Sequence, residues 1–379
     1  MTPLELFSAD SHVVEPGHCY VDYVESKYRD RAPHYKRNEE GGEMLVLEEF
    51  PPIKAGLLAS SGHKLDGAHF AKMSLADANL GAFDPKQRLH DQDRDGVVGE
   101  IIYPTVGMYI CASEDADYKH ACFWAYNRWL KDEFISYAPD RLIGLGLTAV
   151  RSVDEAIEDI GKFKQMGFKG VMLPGEPSMS EDYHEAVFDP LWAACVEMDM
   201  PVSFHIFSSR AMKKVAHALM HKSDTGRGPV ENRTQDVLRN VQDIIGLFIW
   251  GGVFERHPKL RLVCTEADAG WAPHYMLYAD HYYLDRPDRK LGGKLRRKPS
   301  EYFMENVYMT FQRDWVALQS LHLLNPERLL WANDFPHPDA CWPRSQELLA
   351  QHAAHLSAAH RSAILHDNVA NVFRLRQAA

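Results

Sequence analysis

The chain has 379 residues, of which 45% are hydrophobic and 25% are charged, and its formal net charge at pH 7 is −11. This length suits one α/β barrel of about 250 residues with insertions, and the negative charge argues against nucleic acid or an anionic membrane as the main partner. The sequence contains no apolar run of about eighteen residues and no basic N-terminal segment followed by an apolar one. We therefore expect neither a transmembrane helix nor a signal peptide, and a cytoplasmic location.

The cysteines contain no C-x-x-C pair, and several fall in predicted strands or helices, where a reduced cysteine behaves as a small apolar residue. We predict that none of them is a metal ligand or a nucleophile. They are Cys19, Cys111, Cys122, Cys195, Cys264 and Cys341.

In chain order, short apolar strands alternate with amphipathic helices. The first predicted strand contains Leu4, Leu6 and Phe7 and ends at Asp10-Ser11-His12. The other seven are Val97–Tyr103, Leu142–Val150, Phe168–Leu173, Val202–His205, Leu260–Glu266, Val307–Phe311 and Arg328–Asp334. Helices are predicted at Asp115–Tyr137, Val153–Met166, around Pro190–Met198 and near Asp236–Trp250. Eight strands separated by crossover helices favour a (β/α)₈ barrel of the TIM type over an open sheet.

Two stretches fall outside this repeat, although we predict one domain over residues 1–379. Pro33–Arg94 separates the first two strands by far more than the usual two to six or so residues, so it is a long insertion after strand one. It emerges at the catalytic face and is either a lid, carrying Lys54, Lys64, His69 and Lys72, or a surface or dimer contact. Ser208–Thr234, which contains His217, His221, Lys222 and Arg227, should also overhang that face.

The Asp10-Ser11-His12 triplet is the first candidate for metal binding. A strand directs residues i and i+2 to the same side, so Asp10 and His12 are both able to reach one ion. The triplet alone is weak, because Asp182-Tyr183-His184 is a second Asp-x-His in a polar loop. Its significance comes from residues at three other strand ends.

His205, Glu266 and Asp334 each stand at the end of a later predicted strand. In a parallel barrel all strand ends meet at one face, so these side chains should converge with Asp10 and His12. The sequence therefore predicts a metal site at the catalytic face.

Several further segments carry a family resemblance. They are Asp-Ser-His-Val-Val-Glu-Pro at 10–16, Tyr103-Pro104-Thr105, Phe188-Asp189-Pro190-Leu191-Trp192, Gly252-Val253-Phe254-Glu255-Arg256-His257-Pro258, Trp271 and Asp334-Phe335-Pro336-His337. The chain resembles the amidohydrolase superfamily over nearly its whole length. More narrowly, it resembles the branch of aminocarboxymuconate semialdehyde decarboxylase and the resorcylate and dihydroxybenzoate decarboxylases.

The resemblance implies a metal held by Asp10 and His12 of strand one, His205 of strand five and Asp334 of strand eight, and it also implies a homodimer. The chain departs from the decarboxylase pattern at strand six, where Glu266 stands in place of a His that activates the metal-bound water or protonates substrate. Strand four ends in Leu173-Pro174-Gly175 and offers no bridging Lys. A second ion would need Glu266 or Glu15 as a bridge.

Two carboxylates and two imidazoles, with Glu266 as a further ligand and no thiolate, suit Zn²⁺ or Mn²⁺ first, with Fe²⁺ also possible. Such an ion polarises a substrate oxygen or lowers the pKa of bound water toward about 7. Glu266 is then placed to move a proton as a general acid or base. Alternatively, Glu266 is a structural carboxylate paired with Arg261 or a loop Lys.

Other residues are candidates for contact with a substrate. His337 orients substrate or a ligand, or else is an ordinary loop residue, and we include it with Glu266 and Asp334 as catalytic candidates. Arg313 is able to bind a carboxylate through its planar guanidinium. Tyr103 and Trp342 are candidate walls for an aromatic ring, whereas core packing is the better interpretation for Trp271. His217, in the stretch that overhangs the site, is a candidate pocket residue, with a surface position as the alternative.

These observations predict a metal-dependent, non-oxidative decarboxylase or hydrolase that acts on a small aromatic or unsaturated carboxylic acid or a derivative of one. The main alternative is a dinuclear non-haem metal oxygenase on the same fold, since Glu266 enriches the site in carboxylates. A non-enzymatic role is less consistent with metal ligands that converge at the catalytic face of a barrel.

Overall fold

Eight parallel strands form the centre of the molecule in the computed structural model, which describes residues 4–63, 67–213, 234–285 and 295–375. The barrel strands are β1 (Leu6–Val13), β2 (Val97–Pro104), β3 (Leu142–Gly144, continued by Gly146–Leu147), β4 (Val171–Met172), β5 (Val202–His205), β6 (Leu262–Thr265), β7 (Val307–Phe311) and β8 (Leu329–Trp331). Each strand pairs in parallel with the next one along the chain, and β3 is interrupted at Leu145.

The barrel closes between β8 and β1. The backbone N–H of Asp334 donates to the carbonyl of Asp10 at 3.0 Å, and that of His12 donates to the carbonyl of Phe335 at 2.6 Å. The predicted (β/α)₈ architecture is therefore confirmed, and two of the closing bonds involve residues predicted to bind metal.

Crossover helices connect the strands and cover the outside of the barrel. The main helices are Pro85–Asp95, Ala116–Trp129, Val153–Met166, Asp189–Glu197, Thr234–Trp250, Ala272–Asp285, Pro299–Asn306 and Trp315–Gln319, followed after β8 by Ser345–His352, Ala358–Ser362 and Asn368–Val372. Shorter helices lie at Gly17–Val21, Gly67–Lys72, Val106–Cys111 and Val253–Arg256. None of the helices in the described part of the chain combines the length and the apolar character that crossing a membrane requires.

Phe163 of helix Val153–Met166 and Phe168, just after that helix, pack very closely on β3. A Cβ atom added at Gly146 would lie 2.4 Å from the ring of Phe163, and one added at Gly144 would lie 2.7 Å from the ring of Phe168. Both distances are too short for a real contact, so the strand needs glycine there. The close approach seals this side of the barrel, and the buried core is continuous between strands and helices.

Three of the barrel strands end earlier in the structure than the sequence predicts. Strand β3 ends at Leu147, and Val150, which we placed in the strand, has a positive φ of 53° that an extended strand cannot accommodate. Glu266 and Asp334 also lie just beyond β6 and β8, with φ values of 58° and 57°. Their backbones turn at the points where the strand ends meet.

The segment between β1 and β2 contains a small antiparallel sheet with strands His34–Arg37, Glu43–Val46 and Ile53–Lys54. The predicted insertion, Pro33–Arg94, extends too far, because Pro85–Asp95 is a crossover helix that packs against β2 and so belongs to the barrel repeat. The extra residues precede Pro85.

The inserted segment attaches to loops at the carboxyl ends of the strands. The Ser61 N–H donates to the carbonyl of Pro336 at 3.0 Å, after β8. The Glu49 carboxylate accepts from the Ser113 hydroxyl at 3.1 Å, after β2, and forms an ion pair with Lys213, after β5. The insertion therefore lies on the catalytic face.

Candidate metal centre

Asp10 and His12 project from β1 to the same side, as their two-residue spacing predicts. Both side chains are fully buried, and Nε2 of His12 lies 3.2 Å from Oδ1 of Asp10. His205, at the end of β5, brings its Nε2 to 3.2 Å from Nε2 of His12 and 3.4 Å from Oδ1 of Asp10. Asp334, just after β8, brings Oδ1 to 3.4 Å from Nε2 of His12.

Backbone carbonyls fix the orientation of both imidazoles. Nδ1 of His12 lies 2.9 Å from the carbonyl oxygen of Pro104, and Nδ1 of His205 lies 2.8 Å from that of Ile206. A carbonyl only accepts, so each Nδ1 carries a proton, and in the neutral form of each ring Nε2 presents a lone pair. Two lone pairs then face each other 3.2 Å apart, an arrangement that a bound cation stabilises.

The surrounding carboxylates also fit a cation. Both oxygens of Asp10 and Oδ2 of Asp334 are buried without a hydrogen-bond donor. An unpaired buried carboxylate oxygen is costly, and coordination to a metal removes that cost. The imidazole and carboxylate donors are those that Zn²⁺, Mn²⁺ and Fe²⁺ accept, so the residues present fit a divalent metal ion.

Glu266 joins this cluster from β6 and has the most open position in it. A ligand atom from each of Asp10, His12, His205 and Glu266 lies within 4.8 Å of the others. Oε2 of Glu266 lies 3.7 Å from Nε2 of His205, and its side chain is 15% exposed, whereas the other four candidate ligands have side chains with no exposure. Glu266 is therefore the candidate ligand that faces open space.

That space is a cavity of about 370 Å³. Glu266 and Asp268 supply carboxylates, and Ile206, Trp271 and Val316 supply apolar surface. A larger cavity of about 770 Å³ lies beside Leu4 and Glu5, before β1 begins, at the opposite end of the barrel from the ligand cluster.

Burial and mutual repulsion set the protonation states of the cluster. Burial, together with the neighbouring His337, lowers the pKa of His12 to about 3, so this ring is neutral at pH 7. Burial raises the pKa of Asp334 to about 6, although His337 opposes that shift. Burial, followed by repulsion from Asp334 and Asp10, raises the pKa of Glu266 well above its usual range.

The residues from 112 to 375 match the family model described as Amidohydrolase. This chain belongs to the amidohydrolase family. It is accordingly a metal-dependent enzyme on a TIM-type barrel, as its resemblance implies.

Solved structures with the same fold cover almost the whole chain. An amidohydrolase from Mycobacterium avium subsp. paratuberculosis K-10 has a TM-score of 0.79 at 19% identity, covering 97% of each chain. The 2,6-dihydroxybenzoate decarboxylase from Rhizobium has a TM-score of 0.63 at 16% identity, covering 98% of this chain and 99% of its own. The 5-carboxyvanillate decarboxylase from Novosphingobium aromaticivorans DSM 12444, complexed with manganese and 4-hydroxy-3-methoxy-5-nitrobenzoic acid, has a TM-score of 0.67 at 18% identity, covering 98% and 96%.

In this amidohydrolase, His337 has both ring nitrogens engaged. Nδ1 lies 2.9 Å from Oδ1 of Asp334, and Nε2 lies 3.1 Å from the hydroxyl oxygen of Thr105. Its ring lies over that of His12, with centroids 4.1 Å apart. This geometry favours the orienting role among those that the sequence left open.

The predicted substrate contacts are more scattered. Tyr103 is fully buried inside the barrel, where its hydroxyl donates to Ser203 and accepts from Thr265, each at 3.1 Å. The Trp342 ring packs against Phe335 and its Nε1 donates to the carbonyl of Asp91 at 2.9 Å. Both side chains are therefore occupied in packing, and a substrate role for either one stays a prediction.

Arg313 is exposed after β7, and its Nη2 donates to the carbonyl of Asp339 at 2.8 Å. A carboxylate oxygen of Asp339 lies within 4.8 Å of oxygens of Glu266 and Asp334, so Arg313 stands near the open side of the cluster.

His217 and His221 lie outside the described residues. Arg261 forms an ion pair with Asp199, so within the described part of the chain it is not the partner that we considered for Glu266.

Glu15, a candidate bridge for a second ion, has a structural role. Its carboxylate accepts backbone N–H groups of Thr105, Val106 and Gly107 at 2.8–3.1 Å, and the Tyr20 hydroxyl at 3.0 Å. It thus caps the helix that follows β2. Its oxygens are already committed to these donors.

Sequence reasoning missed Arg88, which is buried beneath the cluster. Its guanidinium donates to the carbonyl of His12 at 2.8 Å and to that of Gly81 at 2.7 Å, and it forms an ion pair with Glu100 at 2.6 Å. Its charge is thereby compensated, and it holds the backbone of His12 in place. The one signal in the sequence was an Arg in the polar helix before β2, which is ordinarily a surface residue.

Proposed function

We propose that this protein catalyses the non-oxidative, metal-dependent decarboxylation of a small aromatic or unsaturated carboxylic acid. Asp10, His12, His205 and Asp334 would hold the metal, and Glu266 would carry the proton. The observation that supports the proposal most directly is the exposure of Glu266 to the cavity beside an otherwise buried ligand cluster.

Zn²⁺ and Mn²⁺ are our first choices for the ion, with Fe²⁺ also compatible with the donors. When bound, the ion would hold the substrate carboxylate or an adjacent oxygen and withdraw electron density from it. The protein's own contribution is to fix His12 and His205 through the carbonyls of Pro104 and Ile206, so that both Nε2 atoms face the same point.

Glu266 would donate its proton to the substrate carbon that bears the carboxylate. The carbon–carbon bond then breaks, its electron pair stays with the substrate, and carbon dioxide leaves. Overall, the substrate carboxylate and one proton give carbon dioxide and a product with a new carbon–hydrogen bond. Solvent then returns a proton to Glu266. General acid catalysis of this kind contributes about 10²–10⁴-fold in rate.

The cavity next to Glu266 fits this class of substrate. Its volume of about 370 Å³ lies in the range of small-molecule sites, and Ile206, Trp271 and Val316 offer apolar surface to a flat ring. Arg313 would contact a second polar group of the substrate from the open side. The two decarboxylases compared above are named for 2,6-dihydroxybenzoate and 5-carboxyvanillate, and they share the fold of this chain.

Hydrolysis is the second candidate, because a carboxylate at strand six is a suitable base for activating water. The similar structures described above include no oxygenase, so we do not propose the dinuclear alternative, although carboxylate oxygens of Glu266, Asp334 and Asp339 lie within 4.8 Å of one another.

The test is to incubate the manganese- or zinc-loaded protein with a panel of hydroxybenzoates and unsaturated acids, and with their esters and amides. In D₂O, release of carbon dioxide with one deuterium incorporated at the carbon that bore the carboxylate supports decarboxylation. Cleavage of esters or amides without carbon dioxide supports hydrolysis instead. The His205→Ala variant, which lacks a ligand, is the control and should be inactive in either case.

We also propose that the insertion is a lid. Its Ser61 and Glu49 attach it to loops after β2, β5 and β8, which surround the ligand cluster. The alternative interpretation of this segment is a surface or dimer contact.

A further inference from the structure

The end of β2 contacts both histidines that stand nearest to Asp334. The carbonyl of Pro104 accepts from Nδ1 of His12, and the hydroxyl of the next residue, Thr105, lies 3.1 Å from Nε2 of His337. One two-residue segment therefore fixes the rotation of both rings, which lie over each other.

A threonine before a helix usually caps that helix with its hydroxyl, and Thr105 does not. It precedes helix Val106–Cys111, yet its side chain makes no capping hydrogen bond. Glu15 satisfies the free N–H groups of this helix instead. The buried hydroxyl of Thr105 is thus directed to His337 rather than to the local backbone.

The direction of the hydrogen bonds follows from the chemistry of the groups. A carboxylate only accepts, so Nδ1 of His337 donates to Oδ1 of Asp334; in the neutral ring Nε2 then carries a lone pair and accepts the Thr105 proton. The carboxylate of Asp334 then has one oxygen held by His337, and its other oxygen is the one buried without a donor.

We infer that Thr105 is a positioning residue that acts through His337 to aim the Asp334 carboxylate at the metal. This inference rests on the proposed metal site. Without the Thr105 hydroxyl, the His337 ring loses one of its two hydrogen bonds, and Oδ1 of Asp334, which lies 3.4 Å from Nε2 of His12, is less well directed. Partners behind metal ligands commonly change metal affinity by about 10–100-fold, and Thr105 stands one step further out.

The experiment measures the dissociation constant for Mn²⁺ by competition with a chelator in the full chain. Thr105→Val, which keeps the shape and removes the hydroxyl, should weaken binding about three- to tenfold, as the loss of one hydrogen bond allows. Thr105→Ser, which keeps the hydroxyl, should restore wild-type affinity.

Thr148→Val is the matched control. Thr148 is also buried near a strand end, and its hydroxyl donates to Asp159 at 2.8 Å, on the outer helix Val153–Met166. This variant also loses a buried hydrogen bond, but it should keep wild-type affinity for Mn²⁺. Equal weakening in Thr148→Val and Thr105→Val would overturn the inference, as would unchanged affinity in Thr105→Val or no rescue by Thr105→Ser.

A metal-independent measurement separates this inference from the proposed function. The ¹⁵N chemical shifts of His337, assigned with a His337→Gln variant, report which ring nitrogen carries the proton. Thr105→Val should move the Nε2 shift in metal-free protein and Thr148→Val should not. If the wild type binds no metal but the Nε2 shift moves in Thr105→Val, the proposed metal site is wrong and the contact between Thr105 and His337 is supported. If the shift does not move, the contact itself is refuted.

Discussion

At the scale of single residues, Glu266 is the group on which the proposed chemistry depends. It is the one candidate ligand with an exposed side chain, and its backbone φ of 58° aims it away from the direction of β6. Non-glycine residues with positive φ are uncommon and often mark functional sites. Asp334 shares the positive φ, so partial exposure is what distinguishes Glu266 from the buried ligands around it.

Glu266→Gln preserves shape and removes the titrating group. We expect metal content to persist, and turnover of the substrate found by the carbon dioxide assay to fall about 10²–10⁴-fold, with the corresponding limb of the pH–rate profile lost. Metal analysis and steady-state kinetics measure both quantities. Normal turnover with an unchanged pH profile would show that Glu266 is structural, whereas loss of metal would show that it is a ligand.

Asp334 should make metal affinity depend on pH. Burial raises its pKa to about 6, so below that pH a proton competes with the ion for the carboxylate. We expect Mn²⁺ affinity to fall as the pH is lowered from 7 to about 5, measured by calorimetry or chelator competition.

The metal-free protein should show the opposite trend in stability. A carboxyl whose pKa is higher in the folded than in the unfolded state loses stability as the pH rises through the interval between the two values. As the pH rises from about 4 to 6, Asp334 therefore lowers the unfolding free energy of the metal-free protein. Denaturant unfolding at several pH values measures this change.

A Mn²⁺ affinity that does not change between pH 5 and 7 would contradict the assignment of Asp334 as a ligand.

At the scale of elements, the strands of the barrel bring the site together and the insertion covers it. Glu49 attaches the insertion to two other loops, and its φ of 69° is a strained value for a glutamate. Its ion pair with Lys213 is only partly exposed, at 27% and 22%.

If the insertion is a lid, Glu49→Gln should speed the removal of bound metal by a chelator. Loss of a partly exposed ion pair of up to about 1 kcal/mol corresponds to an increase of about two- to fivefold in the stripping rate. Glu347→Gln, which breaks an exposed pair with Arg344 on another helix, is the control and should leave the rate unchanged. Equal rates for Glu49→Gln and the wild type would favour a surface or dimer-contact role.

The barrel elements were largely predictable, because apolar strands alternated with amphipathic helices. The boundaries were less so: Val150, Glu266 and Asp334 continue apolar runs, but their backbones turn where strand ends converge. That turn depends on contacts with neighbouring strands, such as the bond between Asp334 and Asp10. The end of the insertion was misplaced because helix Pro85–Asp95 is strongly polar, with apolar side chains too few to mark it as a barrel helix.

At the scale of the whole molecule, barrel closure explains why the candidate ligands were predictable and their supports were not. Asp10, His12, His205 and Asp334 could be found because strand ends meet at one face. Glu15, Arg88 and Thr105 act through contacts between segments far apart in sequence, and their residue types are ordinary in helices and loops. Trp342 was predicted as a pocket wall because flat rings pack well against one another; its bond to the carbonyl of Asp91 on helix Pro85–Asp95 was not predictable, and the substrate role stays a prediction.

The proposed metal site is tested by a crystal structure of the metal-loaded protein with data collected at the absorption edge of the bound ion. We expect an anomalous peak about 2.0–2.2 Å from Nε2 of His12, Nε2 of His205 and carboxylate oxygens of Asp10 and Asp334. A peak located only elsewhere, or no peak between these four side chains in protein saturated with Zn²⁺ or Mn²⁺, would contradict this assignment of the ligands.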